Sequence, residues 1–355
     1  MLHFEFIDII IKIRNGSDIE VSTVKINISD LARITGFAKS TVSAALNNKP
    51  GVNPETRERI LKAAEQLNYI PNELARGLSS KTSATIGVIV RDITNPFYAR
   101  MCRAIEQVAY THGFSIIISN TDGIPEKEIN AIRLMIGKMV SGIIVDISGN
   151  DLDLFFELKK SNIPYVLFGT CQGNIDADCV EADDYGGAFK AVEHLISCGH
   201  DKIGFVHGGA DSIYSQRRLN GIKDAFLKYH IQFNDNYILH KAKKLEDGYQ
   251  IGKLLTGKKD RPTAVIAYND LVAIGILKAF GEEGLMVPDY MSIIGFDDIE
   301  LMTFPLTTVK IPTYEMGVEA SELIIKRIKG DKPARSRRIV LNTELIIRKS
   351  VKDIR

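Results

Sequence analysis

From Thr85 onward the chain alternates short β-rich runs with amphipathic helical stretches, and this alternation narrows the possible folds more than any other feature. Strands are predicted at Thr85–Val90, Phe114–Ser119, Gly142–Ile147, Tyr165–Phe168, Lys202–His207, Ala264–Tyr268 and Ser292–Phe296. Helices are predicted between them, at Phe97–His112, Lys127–Met139, Asp151–Ser161, Tyr185–Cys198, Arg217–His230, Asp247–Leu255 and Asp270–Glu283. Repeated strand–helix–strand units build parallel sheets with helices packed on their faces. A chain of 355 residues is too long for one core, and the alternation has the length of two such sheets.

In open parallel sheets a ligand sits beyond the carboxyl ends of the strands. The polar residues there are Arg91, Asp92 and Asn95, then Asn120 and Asp122, then Asp146 and Ser148; in the second half they are His207, Asn269, Asp270, Asp297 and Asp298. Amides and carboxylates converging on a cleft suit a polyhydroxyl or polar metabolite, with Phe97 and Tyr98 available for stacking. The same residue types also cap helices and close turns, so either role is open for each of them. No nucleophile elbow, phosphate-binding P-loop or HExxH pattern is present, and the seven histidines are dispersed. Neither an enzyme nor a bound metal or cofactor is expected.

A different pattern precedes this body. Asn27 can cap a first helix, with Asp30 answering it as a capping box, and Ile28, Leu31, Ala32 and Thr35 supply an inner face. Gly36 permits a sharp turn. In a second helix Val42, Ala45 and Leu46 point inward, leaving Lys39, Ser40, Ser43, Ala44 and Asn47 outward. Asn53-Pro54-Glu55 starts a third helix with core stripe Ile60, Leu61, Ala64 and Leu67, and a Pro71-led segment runs to Leu78. This is the layout of a helix-turn-helix, whose second helix enters a DNA major groove; a three-helix packing unit without DNA is the alternative. Between Lys25 and Lys81 nine Lys/Arg stand against five Asp/Glu, an excess of four, so with +1 for the whole chain the remainder sums to −3. A basic head on a mildly acidic body fits a DNA-binding module.

The four cysteines (Cys102, Cys171, Cys179, Cys198) lack metal-ligand spacing, and a reducing cytoplasm without a disulfide framework is expected. Met1–Arg14 is apolar but interrupted by Glu5, Asp8 and Lys12. It is too short to span a bilayer and lacks the basic start and cleavage site of a signal peptide. Residues 1–24 are read as an extension outside the folded domains, or as an upstream start.

The runs Asp30-Leu31-Ala32, Ser40-Thr41-Val42-Ser43, Leu67-Asn68-Tyr69-Ile70-Pro71-Asn72, Ala75-Arg76-Gly77-Leu78, Thr94-Asn95-Pro96-Phe97-Tyr98, Arg218-Leu219-Asn220-Gly221, Asn269-Asp270, Ile293-Ile294-Gly295-Phe296-Asp297 and Leu306-Thr307-Thr308-Val309 together resemble the LacI/GalR family of bacterial repressors. The resemblance covers Lys25 to about Val351. It implies an N-terminal all-α helix-turn-helix head at 25–70, a hinge helix and linker at 71–82, and a periplasmic-binding-protein-like α/β effector domain at 83–355. That domain would consist of two doubly wound parallel-sheet subdomains, 83–183 with 312–340 and 184–311 with 341–355.

The resemblance further implies that Lys39, Ser40 and Ala44 face bases and that Thr41, Ser43 and Asn47 brace phosphates. Tyr69, Asn72 and Ala75 would lie along the backbone and minor groove, and Leu78 would be the apolar wedge. Arg91, Asn95, Phe97, Arg218, Asn269, Asp270 and Asp297 would contact an effector. The chain departs from the family pattern at Ala38, where a capping Ser is usual, and at Ala44, where many members carry Arg. Two further departures are Gly169, where sugar-binding members often have a carboxylate, and Lys243, where an aromatic lid is frequent. Lys243 with Arg91 and Arg218 would favour an anionic effector, or Lys243 lies on a solvated loop beside Lys241 and Lys244.

The expectation is a homodimeric, cytoplasmic repressor of a pseudo-palindromic double-stranded operator, controlled by a sugar or sugar derivative. An activator built from the same parts is the alternative. No heptad tail follows Leu341–Ile347, read as a strand, so dimers and not tetramers are expected. A solute-binding protein would share the body, but it would need an export signal and no head.

Overall fold

The computed structural model describes residues 26–69, 83–147, 152–169, 176–209, 212–240, 242–300, 303–331 and 333–355. The chain divides into two compact units, Met1–Ser80 and Lys81–Arg355.

In the first unit lie α1 (Ile28–Thr35), α2 (Lys39–Leu46) and α3 (Pro54–Gln66). Their contact is a small core of Leu31, Val42, Ala45, Ile60 and Ala64, with Phe37, Leu46 and Tyr69 packed at its edge.

The second unit is built on two six-stranded sheets. The first comprises β1 (Thr85–Val90), β2 (Ser115–Asn120), β3 (Gly142–Asp146), β4 (Tyr165–Gly169), β5 (Asp178–Ala182) and a late strand, β11 (Arg338–Leu341). Its order is β11-β5-β4-β3-β1-β2, parallel throughout. The second comprises β6 (Ile203–His207), β7 (Ile238–His240), β8 (Ala264–Ile266), β9 (Ser292–Asp297), β10 (Thr307–Lys310) and β12 (Glu344–Ile346). Its order is β12-β10-β9-β8-β6-β7, with β12 alone antiparallel.

Helices α4 (Pro96–Thr111), α5 (Pro125–Gly137) and α6 (Leu152–Ser161) flank the first sheet, joined by α11 (Thr313–Ile328), which packs on α4 and on β3, β4 and β5. Helices α7 (Asp184–Ser197), α8 (Ile213–Lys228), α9 (Leu245–Thr256) and α10 (Asp270–Glu282) serve the second. The chain thus passes between the sheets three times: after β5, after β10, and between β11 and β12. Central strands are apolar on both faces, as helix cover requires; all six residues of β1 are buried. The tightest helix pair is α9 with α10, where a Cβ on Gly275 would meet the Leu245 carbonyl at 2.1 Å and one on Gly248 the Val272 carbonyl at 2.2 Å.

Strands β7, β10 and β11 and helix α11 are absent from the sequence expectations, and three further features depart from them. Strand β5 carries Asp178 and Glu181, which masked it as a loop. Asp178 is paired with Arg327 at 2.6 Å and Glu181 with Arg217 and Arg338 at 2.8 and 2.6 Å, so both acids are buried without being bare charges. The run Leu341–Ile347 is not one strand: it divides at Asn342-Thr343, where the chain leaves one sheet for the other and Thr343 Oγ1 donates to the Asp183 carbonyl. Cys179 is disulfide-bonded, against the expectation of thiols only, and its partner lies outside the described residues; Cys102 and Cys198 are free. No helix among the described residues is long and apolar enough to cross a membrane.

Candidate functional sites in the head and the cleft

The head is set by its caps. Asn27 Oδ1 accepts from the amides of Ser29 and Asp30 at 2.8 and 3.2 Å, and Asp30 Oδ2 accepts from the Asn27 amide at 3.1 Å. Helix α1 then stops at Gly36, whose φ of 73° a side chain rarely adopts. Asn53 caps α3 through the Glu55 amide at 2.9 Å. Arg57 on α3 donates to Asn48 Oδ1 and the Lys49 carbonyl, pinning the turn after α2. Helix α2 has no side-chain cap, because Ala38 stands at its N-cap.

Val42 and Ala45 are buried, which turns Lys39 and Ser40 fully outward and leaves Thr41, Ser43, Ala44 and Asn47 partly exposed. Asn47 Nδ2 already donates to the Ser43 carbonyl at 2.8 Å, so a phosphate would have to use its second N–H. Tyr69 packs beside the head core. Asn72, Ala75 and Leu78, with the rest of the expected hinge, lie outside the described residues.

In the second unit a cleft of about 790 Å³, counted to its open mouth, runs between strand ends of both sheets. That figure includes space open to solvent; as a cavity it measures about 110 Å³. Six of the seven expected effector residues line it: Arg91, Asn95, Phe97, Arg218, Asn269 and Asp297. Asp270 does not. It is fully buried behind the wall, where Oδ1 accepts from Thr308 Oγ1 at 2.7 Å and Oδ2 from the Ile299 amide at 2.9 Å. Burial pushes its carboxyl up to about 7. Its place at the start of α10 aims it at β10, not at the cleft.

The caps read from sequence are present alongside the cleft positions. Asn95 Oδ1 holds the Phe97 amide at 3.0 Å; Asn269 Oδ1 holds the Val272 amide at 2.9 Å, while its Nδ2 donates to the Lys243 carbonyl at 3.2 Å. Phe97 meets Tyr98 edge-on at 5.1 Å. Tyr98 also lines the cleft, largely buried, with its hydroxyl engaged by Asp146.

Behind the cleft-lining residues Arg91, Tyr98 and Tyr214 lies buried Asp146, at the end of β3. Its Oδ2 accepts from Arg91 Nε at 3.0 Å and from the Tyr98 hydroxyl at 2.5 Å; its Oδ1 accepts from the Tyr214 hydroxyl at 2.8 Å. Burial pushes both phenols up, so they remain neutral donors. Tyr214 lies on α8, which serves the other sheet, so this bond ties the two halves together. The Arg91 guanidinium sits 4.7 Å from the centre of the Tyr214 ring. Gly169, at φ 98°, makes room: a Cβ there would lie 1.8 Å from the Tyr214 hydroxyl.

Arg218 is locked from the opposite side. Its Nε and Nη2 reach Asp184 Oδ1 at 2.7 and 2.6 Å, its Nη1 donates to the Tyr268 carbonyl, and its guanidinium lies 3.8 Å over Phe296. Asp297 ends β9 with φ 109°, a conformation costly for a residue with a Cβ, and faces the cleft. Burial raises its carboxyl well above the usual range, with Arg218 opposing and Asp270 and Asp184 adding.

Tyr214, Tyr268 and Lys244 line the cleft without having been singled out for it in the sequence. Tyr214 had a usable signal: it precedes Arg218 by four residues, and so shares its helix face. Among the described residues no cluster of His, Cys, Asp and Glu is placed to hold a metal ion.

Residues 27–72 match the model of bacterial regulatory proteins of the lacI family, and 192–351 match that of a periplasmic binding protein-like domain. The chain is 35% identical over 331 residues to the HTH-type transcriptional repressor PurR of Photobacterium profundum, covering 92% of this chain and 99% of that protein. The structure of the lac repressor dimer bound to operator and the anti-inducer ONPF superposes with TM-score 0.81 at 25% identity, covering 92% of this chain and 99% of that one. A LacI family regulator from Enterococcus faecium with bound ribose gives TM-score 0.69 at 30% identity, over 76% and 100%. With its head and its two-sheet body both matched, the chain belongs to the lacI family of bacterial regulatory proteins, which are DNA-binding transcriptional regulators and not enzymes.

Proposed function

We propose that this regulator is a cytoplasmic, homodimeric repressor that reads a pseudo-palindromic operator and answers to a sugar or sugar derivative bound in the cleft. The observation that carries the DNA reading is the α2 face. Lys39 and Ser40 stand fully exposed on α2, while Asn27, Asp30, Asn53 and Arg57 are spent on caps and turns. With Ala44 on that face, the contact available there is a methyl group against thymine, not the forked guanine contact of an arginine. Hinge positions Asn72, Ala75 and Leu78 would complete the interface.

Amides and a carboxylate facing the cleft, with aromatic rings beside them, match the hydroxyl pattern of a sugar, and one structural relative holds ribose. A ligand that favours one spacing of the two halves would change operator occupancy by its coupling energy, typically about 1–3 kcal/mol.

The test is selection of binding sites from random DNA, followed by titration with and without sugars. A two-fold symmetric consensus is expected. The double substitution Lys39→Ala/Ser40→Ala should weaken specific binding by about 1–3 kcal/mol. Equal affinity of that variant for consensus and scrambled DNA, alongside equal affinity of the wild type for both, would remove the reading.

A further inference from the structure

We propose that the ligand of the cleft is an anion, a sugar acid or sugar phosphate, whose charged group seats among Arg91, Lys243 and Lys244 while its hydroxyls meet Asp297. This rests on the cleft being the effector site, and specifies its ligand.

Counting which charged groups of the cleft are already spent leads to this ligand class. Arg218 is saturated by Asp184 and the Tyr268 carbonyl. Asp92 Oδ1 accepts from the Thr94 amide and hydroxyl at 3.0 and 2.6 Å. Asp122, close enough to Lys244 to feel its charge, is held by Asn120 Nδ2 and Lys127 Nζ. Asp146, the acid that could otherwise receive hydroxyls on that wall, is closed off by Arg91, Tyr98 and Tyr214. Gly169 is what permits Tyr214 to cover it. A neutral sugar therefore finds Asp297 and the second oxygen of Asp92, where the bare strand ends offered several acids.

The groups with hydrogen-bonding capacity to spare have the opposite sign, although the charge of Arg91 is itself paired with buried Asp146. Among the described residues no ion pair or side-chain hydrogen bond engages Lys243 or Lys244, and Arg91 binds Asp146 and Tyr98 through Nε only, leaving both terminal nitrogens. The lysines are exposed at the rim, yet their backbone is fixed. Asp247 Oδ2 accepts from both amides at 2.9 and 3.0 Å, Asn269 Nδ2 holds the Lys243 carbonyl, and the preceding Ala242 is buried. They stand at the amino end of α9, where the helix's own positive end disfavours cations. Their charge does not serve the helix; Glu246 and Asp247 in its first turn and Asp122 offset part of it, and an anion in the cleft would offset more.

The full-length protein is titrated calorimetrically with glucose, gluconate, glucuronate and glucose 6-phosphate, and with ribose, ribonate and ribose 5-phosphate; inorganic phosphate is the ion control. Either gluconate and its kin or the sugar phosphates should bind at least about tenfold tighter than the neutral parent, with affinity falling as salt rises. Lys243→Gln/Lys244→Gln should remove that preference. The proposal fails if neutral sugars bind as tightly, if no anion of the panel binds, if the preference survives the double substitution, or if phosphate alone matches the sugar phosphates. Operator titrations in parallel separate this from the wider reading. A neutral sugar that shifts DNA affinity leaves the effector site standing and rejects the anion; no shift with any bound ligand rejects the effector site itself.

Discussion

Replacing Tyr214 by Phe would isolate the energy that holds the cleft together. The phenol of Tyr214 donates across the cleft to Asp146 Oδ1 at 2.8 Å, in a buried setting. A hydrogen bond to a charged acceptor is worth about 1.5–3 kcal/mol net. Asp146 keeps Arg91 Nε and the Tyr98 hydroxyl, so it is not orphaned and the lower end applies, about 1.5 kcal/mol. Because donor and acceptor belong to different sheets, this loss also shifts the closed-to-open ratio of the two halves, by about tenfold.

Urea unfolding monitored by tyrosine fluorescence gives the first quantity, and small-angle scattering with hydrogen exchange on β3 and α8 gives the second. Asp146→Asn should cost more, about 3–5 kcal/mol, since it leaves the buried Arg91 without its partner. The double variant should then be less destabilised than the sum of the singles, by about the worth of the bond. Strict additivity, within about 0.5 kcal/mol, would refute a direct cross-cleft tie.

Two further outcomes follow from the geometry. Asp270 has a folded pKa of about 7, above its unfolded value, so the folded state binds more protons between about pH 4 and pH 7. Its contribution is therefore neutral at low pH and increasingly destabilising as pH rises, by up to about 4 kcal/mol above pH 7. The stability of Asp270→Asn relative to wild type should climb across that window, and a difference that stays flat with pH would contradict the assignment. In the head, Leu31→Ala removes the central side chain of a five-residue core and should cost about 2–5 kcal/mol. Calorimetry should show the head's transition lost together with operator binding, while the transition of the body and its ligand affinity remain.

Both the fold class and the head were readable because their signals are local. Asn27 with Asp30, Asn53 with Pro54, and Asn95 with Pro96 each announce a helix within a few residues, and each does cap one. Strand β5 was not readable, because its two acids are neutralised by arginines about 35–160 positions away; a short window sees only charge. The position of Asp270 after a strand and at a helix start is the same local signature as that of Asn269. Only the packing of β10 beside it decides that one faces the cleft and the other Thr308. Tyr214 was missed for a related reason: its hydroxyl acts on Asp146, which belongs to the other sheet.

The triple passage of the chain between the sheets governs how the protein can be made. Neither half is a continuous stretch: the first sheet lacks β11 and the cover of α11 until residues 313–341 exist. During synthesis the apolar face over β3, where Ile324 comes to rest against Gly142, is therefore bare while five of the six strands of the second sheet are being translated. A chain that begins with an early-folding head thus carries an unfinished core behind it almost to termination. Premature truncation near residue 310 would yield a DNA-reading head attached to a body that cannot close either sheet, and so a product prone to aggregation.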